Sequence, residues 1–328
     1  MVKKHLLYLL LICTTSASTK PILRAYTYDS FAADWGPGPI IKKAFEADCK
    51  CELQFLTLED GISLLNRLRM EGENSSADLV LGLDNNLLQE ALKTNLFTPS
   101  DVDTSKLTVP GGWQDKTFVP YDYGYFSFVY KKDKLKTPPK NFEELMNHEQ
   151  HWRIIYEDPR TSTPGLGLLL WVQKVYGEQS PAAWKKLAEK TVTVTKGWSE
   201  AYGLLLKDEA DLVLSYTTSP AYHLIKEKKD NYAAAQFSEG HYLQVEIAGT
   251  LKSSKQPVLA KRFMQFMLTP AFQRSIPLGN WMYPVINTPL PVGFEQISTV
   301  QTTLQYRADE VAKYRSNWIR AWQTAVSR

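Results

Sequence analysis

The sequence predicts an α/β protein of two lobes, each a mostly parallel sheet flanked by helices, with a ligand cleft between them. Three observations predict it. Strand-like and helix-like segments alternate along most of the chain, the pattern of a sheet covered by helices. The 328 residues are 44% apolar, enough for about two domains of ~100–200 residues each. Two strand-like segments, 121–129 and 245–251, fall where the alternation breaks and a crossing between lobes belongs. Two lobes joined by two strands make a hinged clamp that can enclose a ligand.

The order begins with "MVKKHLLYLLLICTTSAS" (1–18), which has a basic start, a short apolar run and small residues. It reads as a cleavable secretory signal, cut after Ser18, and is too short to span a bilayer. "PILRAYTY" (21–28) reads as a strand, and "PIIKKAFEADC" (39–49) as a helix opened by proline in its first turn. "CELQFLTL" is a strand. "GISLLNRLRMEG" is a helix with Leu64, Leu65 and Leu68 on one face and Gly72 as its stop. "ADLVLGL" is a short buried strand and "NNLLQEALKTNLF" a helix. "PYDYGYFSFVYKK" is the long aromatic crossing. Then come a strand in "WRIIYED", helices in "PGLGLLLWVQKVYG" and "PAAWKKLAEK", and a strand in "TVTVT". "WSEAYGLLLKDEA" is a helix, "DLVLSY" a strand, "SPAYHLIKEKK" a helix and "HYLQVEIAGTLKSS" extended. "PVLAKRFMQFMLTPAFQRSI" closes the series as a helix. No repeat is present. The resulting division is 19–124 with 250–328 for one lobe and 125–249 for the other, hinged at 123–125 and 246–249.

Composition narrows the chemistry. A formal net charge of +3 with no basic patch among aromatics gives no footprint for nucleic acid; "KEKKD" (226–230) reads as a solvated helix end. The mature chain keeps Cys49 and Cys51. If that segment is extended, their Cα separation sits near the upper end of the ~4.4–6.8 Å that a disulfide tolerates, but an oxidising setting favours the bond. No metal is expected: the cysteine pair lacks further ligands, and "HEQH" (148–151) has the wrong histidine spacing for a zinc protease. No nucleophile–base motif is present, so no enzyme is expected.

Small polar residues or an acid stand where strands give way to helices: "LEDG", "GLDN", "RTSTPG", "GWSE" and "SYTTSP". Each alone is an ordinary helix cap. Yet "TSTPG" and "SYTTSP" carry more hydroxyls than one cap uses, Trp198 and Tyr216 sit within such loops, and all the loops fall on the ligand-binding edge of their sheets. An anion or hydroxyl cradle is expected at "RTSTPG", where the donors before the helix suit a hydroxyl group or a phosphate.

The segments "AYTYDSFAADWGPGPIIKKAFEADCKCEL", "LEDGISLLNRLRMEG", "DLVLGLDNNLL", "GGWQDKTFVPYDYGYFSFVY", "YEDPRTSTPGLGLLLW", "TVTVTKGWSEAYGLLLK", "DLVLSYTTSPAYH" and "GNWMYPV" together resemble the thiamine-binding branch of the periplasmic solute-binding proteins that serve bacterial ATP-binding-cassette importers. The resemblance covers the chain. It implies the two-lobed solute-binding fold (type II-like), a periplasmic location, and capture of thiamine, thiamine phosphate and thiamine diphosphate for an inner-membrane permease with a separate ATPase. It implies a monomer with no cofactor, thiamine being cargo. Position by position it places ligand contacts at Asp60, Gly61, Ser162, Thr163, Trp198, Tyr216, Thr217, Thr218 and Ser219, with Tyr28, Tyr222 and Trp281 near the pocket.

Thiamine suits these residue types. Its thiazolium is permanently cationic, so Asp60 can supply the opposite charge and Trp198, Tyr216 or Trp281 an aromatic face, worth ~0.5–2 kcal/mol. Its aminopyrimidine is flat and stacks. Trp152, Trp171 and Trp184 are expected in the core. Two other readings are a ferric-iron-binding relative of the same fold, against which stands the lack of adjacent tyrosines, and a secreted hydrolase, against which stands the lack of a nucleophile–base pair.

Overall fold

The computed structural model describes residues 20–147, 149 and 151–327. The expected leader at 1–18 and His148 of "HEQH" lie outside the described residues. The strands are β1 (Ile22–Tyr28), β2 (Glu52–Leu58), β3 (Leu79–Asp84), β4 (Val119–Lys131), β5 (Ile154–Glu157), β6 (Thr191–Thr195), β7 (Leu212–Tyr216), β8 (Tyr232–Ala234), β9 (His241–Thr250), β10 (Tyr283–Pro284) and β11 (Thr303–Leu304). They follow one path, β2-β1-β3-β9-β4-β7-β5-β6, with β8 and β10 against β4 and β11 against β9.

The two outer parts, β2-β1-β3 and β6-β5-β7, are parallel, as βαβ connections require. The centre, β3-β9-β4-β7, is antiparallel. The reason is topological: β4 carries the chain from one lobe to the other and β9 brings it back. The sheet is therefore mixed, with parallel wings. β4 pairs with β9 up to Tyr125 and changes to β7 at Phe126. β9 begins at His241, where the sequence reading starts its extended segment, and the His241 ring bonds the Phe126 carbonyl (Nδ1, 2.8 Å). β3 is buried along its length and β9 nearly so, as strands covered on both faces must be.

The expected helices form at Gly38–Cys49, Gly61–Glu71, Thr163–Tyr176, Ser180–Lys190 and Trp198–Leu206. Four expectations change. The helix expected at 85–97 is confined to Leu88–Lys93. The helix expected at 219–229 is a short turn, Pro220–Tyr222, running into a π-turn, His223–Glu227, which lets the His223 ring bond Glu227 (Nδ1 to Oε2, 2.8 Å). The helix expected at 257–276 ends at Phe266 and restarts at Pro270–Gln273, since Pro270 has no N–H to continue it. The chain also ends in a helix, Ala308–Val326, that the sequence reading left unassigned. It packs on both lobes: Arg315 bonds Glu90 at 2.7 Å, and Trp322 Nε1 donates to the Tyr156 hydroxyl at 3.2 Å. Trp152, Trp171 and Trp184 are buried. Cys49 and Cys51 are disulfide-bonded with Cα atoms 5.2 Å apart. The segment is not extended there; Lys50 ends the helix in the left-handed region (φ 54°) and draws the cysteines together.

The helix Thr163–Tyr176 is held down at Gly167, where a Cβ would stand 2.0 Å from the Phe126 ring of β4. Gly167→Ala is therefore expected to destabilise the protein by about 1–3 kcal/mol, although alanine favours a helix over glycine by ~1 kcal/mol. Urea unfolding measures it; an unchanged midpoint would show that Phe126 can move aside.

Candidate functional site

The strands β1, β2, β5, β6 and β7 all end at one cleft between the lobes, the edge where helix amides and loop side chains of such sheets converge. The cavity there is about 240 Å3. Of the residues singled out in the sequence, Tyr28, Asp60, Thr163, Trp198, Tyr216, Ser219, Tyr222 and Trp281 line it. Gly61, Ser162, Thr217 and Thr218 are not among its lining residues and are buried.

Asp60 caps the helix Gly61–Glu71, accepting from the Gly61 amide at 2.7 Å. Its remaining bonds cross the cleft. Ser162 Oγ donates to Oδ2 at 2.7 Å, and Thr163 gives Oδ1 its hydroxyl at 2.7 Å and its amide at 3.2 Å. Burial pushes the Asp60 carboxyl up from the usual range, while the Thr163 and Ser162 hydroxyls pull it back. The positive end of the helix Thr163–Tyr176 thus holds an anion, and that anion is a carboxylate of the opposite lobe. Ser162 also caps its own helix, accepting from the Gly165 amide at 3.4 Å. Gly61 permits the approach: a Cβ there would lie 2.3 Å from the Gly82 carbonyl and 2.7 Å from Thr163 Cγ2. At the rim, Ser199 Oγ donates to Asp29 Oδ1 (2.9 Å). The lobes are closed on each other.

Aromatic rings form the walls. Trp198 donates its indole N–H to Ser215 Oγ (2.8 Å) and stacks on Tyr202 with centroids 5.0 Å apart. Trp35 faces it across the cleft at 6.4 Å. Tyr202 is backed by His223, its hydroxyl 2.9 Å from Nε2; burial lowers the His223 pKa, and a neutral ring protonated on Nδ1 satisfies both Tyr202 and Glu227. Tyr216 is fixed by its hydroxyl bond to Gln244 (2.7 Å). Gly124 of β4 leaves room beside it for Met282. Tyr222 stands edge-on to Trp281 at 5.4 Å. Trp281 follows a π-turn and takes φ +57°, and its buried indole N–H has no partner among the described residues. In "SYTTSP", Ser219 reaches the cavity while bonding Ser215 Oγ (2.7 Å); the Thr217 and Thr218 hydroxyls are buried without partners among the described residues.

The sequence reading missed the acids. Glu246 lines the cavity and is paired in register with Asp122 on the neighbouring crossing strand. Asn280 Nδ2 lies 2.7 Å from Asp122 Oδ2 and 2.9 Å from Glu246 Oε2, and the Tyr28 hydroxyl donates to Glu246 at 2.8 Å. Burial raises both acids, and Glu246 raises Asp122 further. Glu59 lines the cavity too. Glu157 lies buried with both oxygens unpartnered among the described residues, its carboxyl raised by burial and then by Asp60. No lysine, arginine or histidine is among the lining residues. The signal available was an acid inside an otherwise apolar crossing strand, in "PYDYGYF" and "LQVEIAG".

Comparison with known proteins followed the same lines. A family model described as bacterial extracellular solute-binding protein matches residues 36–274. A thiamine-binding periplasmic protein of Escherichia coli (strain K12) is 67% identical over 325 residues, 99% of each chain. A solved structure titled periplasmic thiamin binding protein superposes with a TM-score of 0.93 at 69% identity, covering 94% of this chain and 97% of that one. A ferric binding protein from Campylobacter jejuni superposes with a TM-score of 0.76 at 21% identity, covering 93% and 100%; that likeness concerns the fold alone.

Proposed function

The chain belongs to the bacterial extracellular solute-binding proteins, and from that premise we propose that it captures thiamine in the periplasm and delivers it to an ATP-binding-cassette permease with a separate ATPase. The observation that carries this reading is the lining of the cleft: tryptophan and tyrosine walls, carboxylates, and no basic side chain. Such a site complements a flat ligand with a permanent positive charge. A relative named for thiamine binding at 67% identity over the whole length supports the choice of cation.

Thiamine phosphate and thiamine diphosphate are included in the proposal. Their anionic end would lie by Trp198 and Ser199, where Gly197 opens a helix without a capping side chain. Asp60, Gly61, Ser162 and Thr163 would act together: Asp60 and Thr163 at the ligand, the other two in bringing the lobes together. Tyr216 and Ser219, with Thr217 and Thr218 behind them, would form the floor, and Tyr28, Tyr222 and Trp281 the far wall. The lobes would divide near 124 and 249 and hinge at 123–125 and 246–249, next to the change of partner in β4. Export by a cleavable leader, a monomeric state, the absence of a cofactor and a non-catalytic role complete the reading; relatives named as binding proteins support the last.

Calorimetric titration with thiamine, its two phosphates and a neutral analogue lacking the thiazolium charge tests it. Saturable one-to-one binding of thiamine is expected, with the neutral analogue weaker by about tenfold or more. No heat with thiamine, or equal affinity for the neutral analogue, would sink the assignment.

A further inference from the structure

Asp122 and Glu246 stand on the two strands that join the lobes, directly opposite each other. Asp122 is fully buried and Glu246 nearly so, yet neither carboxylate has a basic partner among the described residues. Among the described residues, every group facing the pair is neutral or acidic. Tyr28 comes from β1, Asp84 from β3, Tyr121 from β4, Tyr216 from β7 and Asn280 from the turn before β10. The Asn280 amide reaches one oxygen of each acid, 2.7 Å from Asp122 and 2.9 Å from Glu246, and so holds those oxygens close together. The second Asp122 oxygen, Oδ1, is buried with no donor. Two buried carboxylates in this arrangement cannot both be ionised without a counter-charge, and one proton shared between them resolves the conflict. Asp84, opposite Glu246, is itself pushed up to about 7 by burial, although the Asn86 amide and side chain and the Leu87 amide, each at 3.0 Å, donate to its carboxylate. The Glu246→Gln and Asp122→Asn variants tell its proton from the pair's.

We propose that Asp122 and Glu246 hold one proton between them in the free protein and release it when a cationic ligand enters the cleft, so that cation capture and proton release are a single event. The proton passes to the surrounding buffer. Both carboxylates are then ionised, and the ligand's fixed positive charge replaces the proton as their counter-charge. Glu246 forms part of the wall of a small cavity, so a cation bound there acts on the pair. The pair would thereby become a specificity determinant: a neutral molecule of the same shape leaves the proton in place and gains no charge interaction. The inference rests on the proposed ligand class.

Linkage fixes the sign. The bound state carries fewer protons than the free state, so affinity for the cation rises with pH, by up to about tenfold per pH unit for one proton released. The burial that raises both carboxyls is consistent with a proton retained at neutral pH. The test is titration of the wild-type protein with thiamine in buffers of different ionisation enthalpy, between about pH 7 and about pH 8.5, where the ligand's aminopyrimidine stays neutral. The expected result is release of a measurable fraction of one proton, lost in both Glu246→Gln and Asp122→Asn. These near-isosteric changes are checked for folding by melting temperature, and the wild-type measurement stands without them. Heat without proton release, or with proton uptake, would overturn the inference while leaving thiamine as the ligand. Release that persists in both folded variants would overturn it by placing the proton elsewhere. No heat with thiamine in any buffer would overturn the ligand assignment and this inference together.

Discussion

Asp60→Asn is expected to weaken thiamine binding roughly tenfold to hundredfold, about 1.5–3 kcal/mol, the range for a charge-assisted contact. The loss has two sources. Asp60 lines the cavity and supplies negative charge facing a cation. It is also the acceptor for Ser162 and Thr163 of the opposite lobe. An asparagine can keep its oxygen where Oδ1 accepts from Gly61 and Thr163, but its amide then stands in place of Oδ2, so the bond to Ser162 must reverse, and the negative charge is gone. The closed state would then be less populated, and apparent affinity falls in proportion to the competent fraction. Small-angle scattering distinguishes the sources: wild type should compact on adding ligand, and the variant should compact less at saturation. The double change Ser162→Ala with Thr163→Val removes the other side of the same contact. It should weaken thiamine and both phosphates alike, because those hydroxyls serve Asp60. Unchanged affinity in Asp60→Asn would take the residue out of both roles.

Trp281→Ala should cost still more, about 2–4 kcal/mol of binding, or ~30- to ~1000-fold. Trp281 is 7% exposed, lines the cavity, and is held edge-on by Tyr222. Removing it deletes an aromatic wall and leaves a void beside Ala221 and Phe294. Truncating a buried tryptophan costs ~3–5 kcal/mol of stability, so urea unfolding must accompany the calorimetry. Trp281→Phe keeps a ring and most of the volume, and is expected to lose less of both. An alanine variant that is stable and binds thiamine as wild type does would show that the ligand sits elsewhere in the cleft.

Much of this protein could be read along the chain, for reasons that are local. The helix Thr163–Tyr176 announces itself by a hydroxyl, a proline and an apolar run; β3 by a short run of leucine and valine; the cleft loops by polar residues at strand ends. What escaped depends on distant pairings. The Asp122–Glu246 pair joins residues on separate strands, and each looks alone like a polar position in a sheet. Asn280 sits in a turn whose neighbours are set by the return of the chain to its first lobe. The hydroxyls of "RTSTPG" were legible as hydrogen-bonding groups. Their partner, Asp60, is 102 residues away from Ser162 and on the other lobe. The helix Ala308–Val326 carried a readable stripe in Val311, Arg315, Trp322 and Ala325, but a buried arginine blurs its apolar face.

That last helix, together with β4 and β9, bears on how the molecule can be divided. β4 gives part of its length to each half of the sheet, pairing β9 and then β7, and the terminal helix rests one end on Glu90 and the other on Tyr156. A cut between the lobes would leave two open sheet edges and a stranded amphipathic helix, three surfaces that favour aggregation. The lobes are therefore separate as grips but not as modules. The protein should denature as one cooperative body.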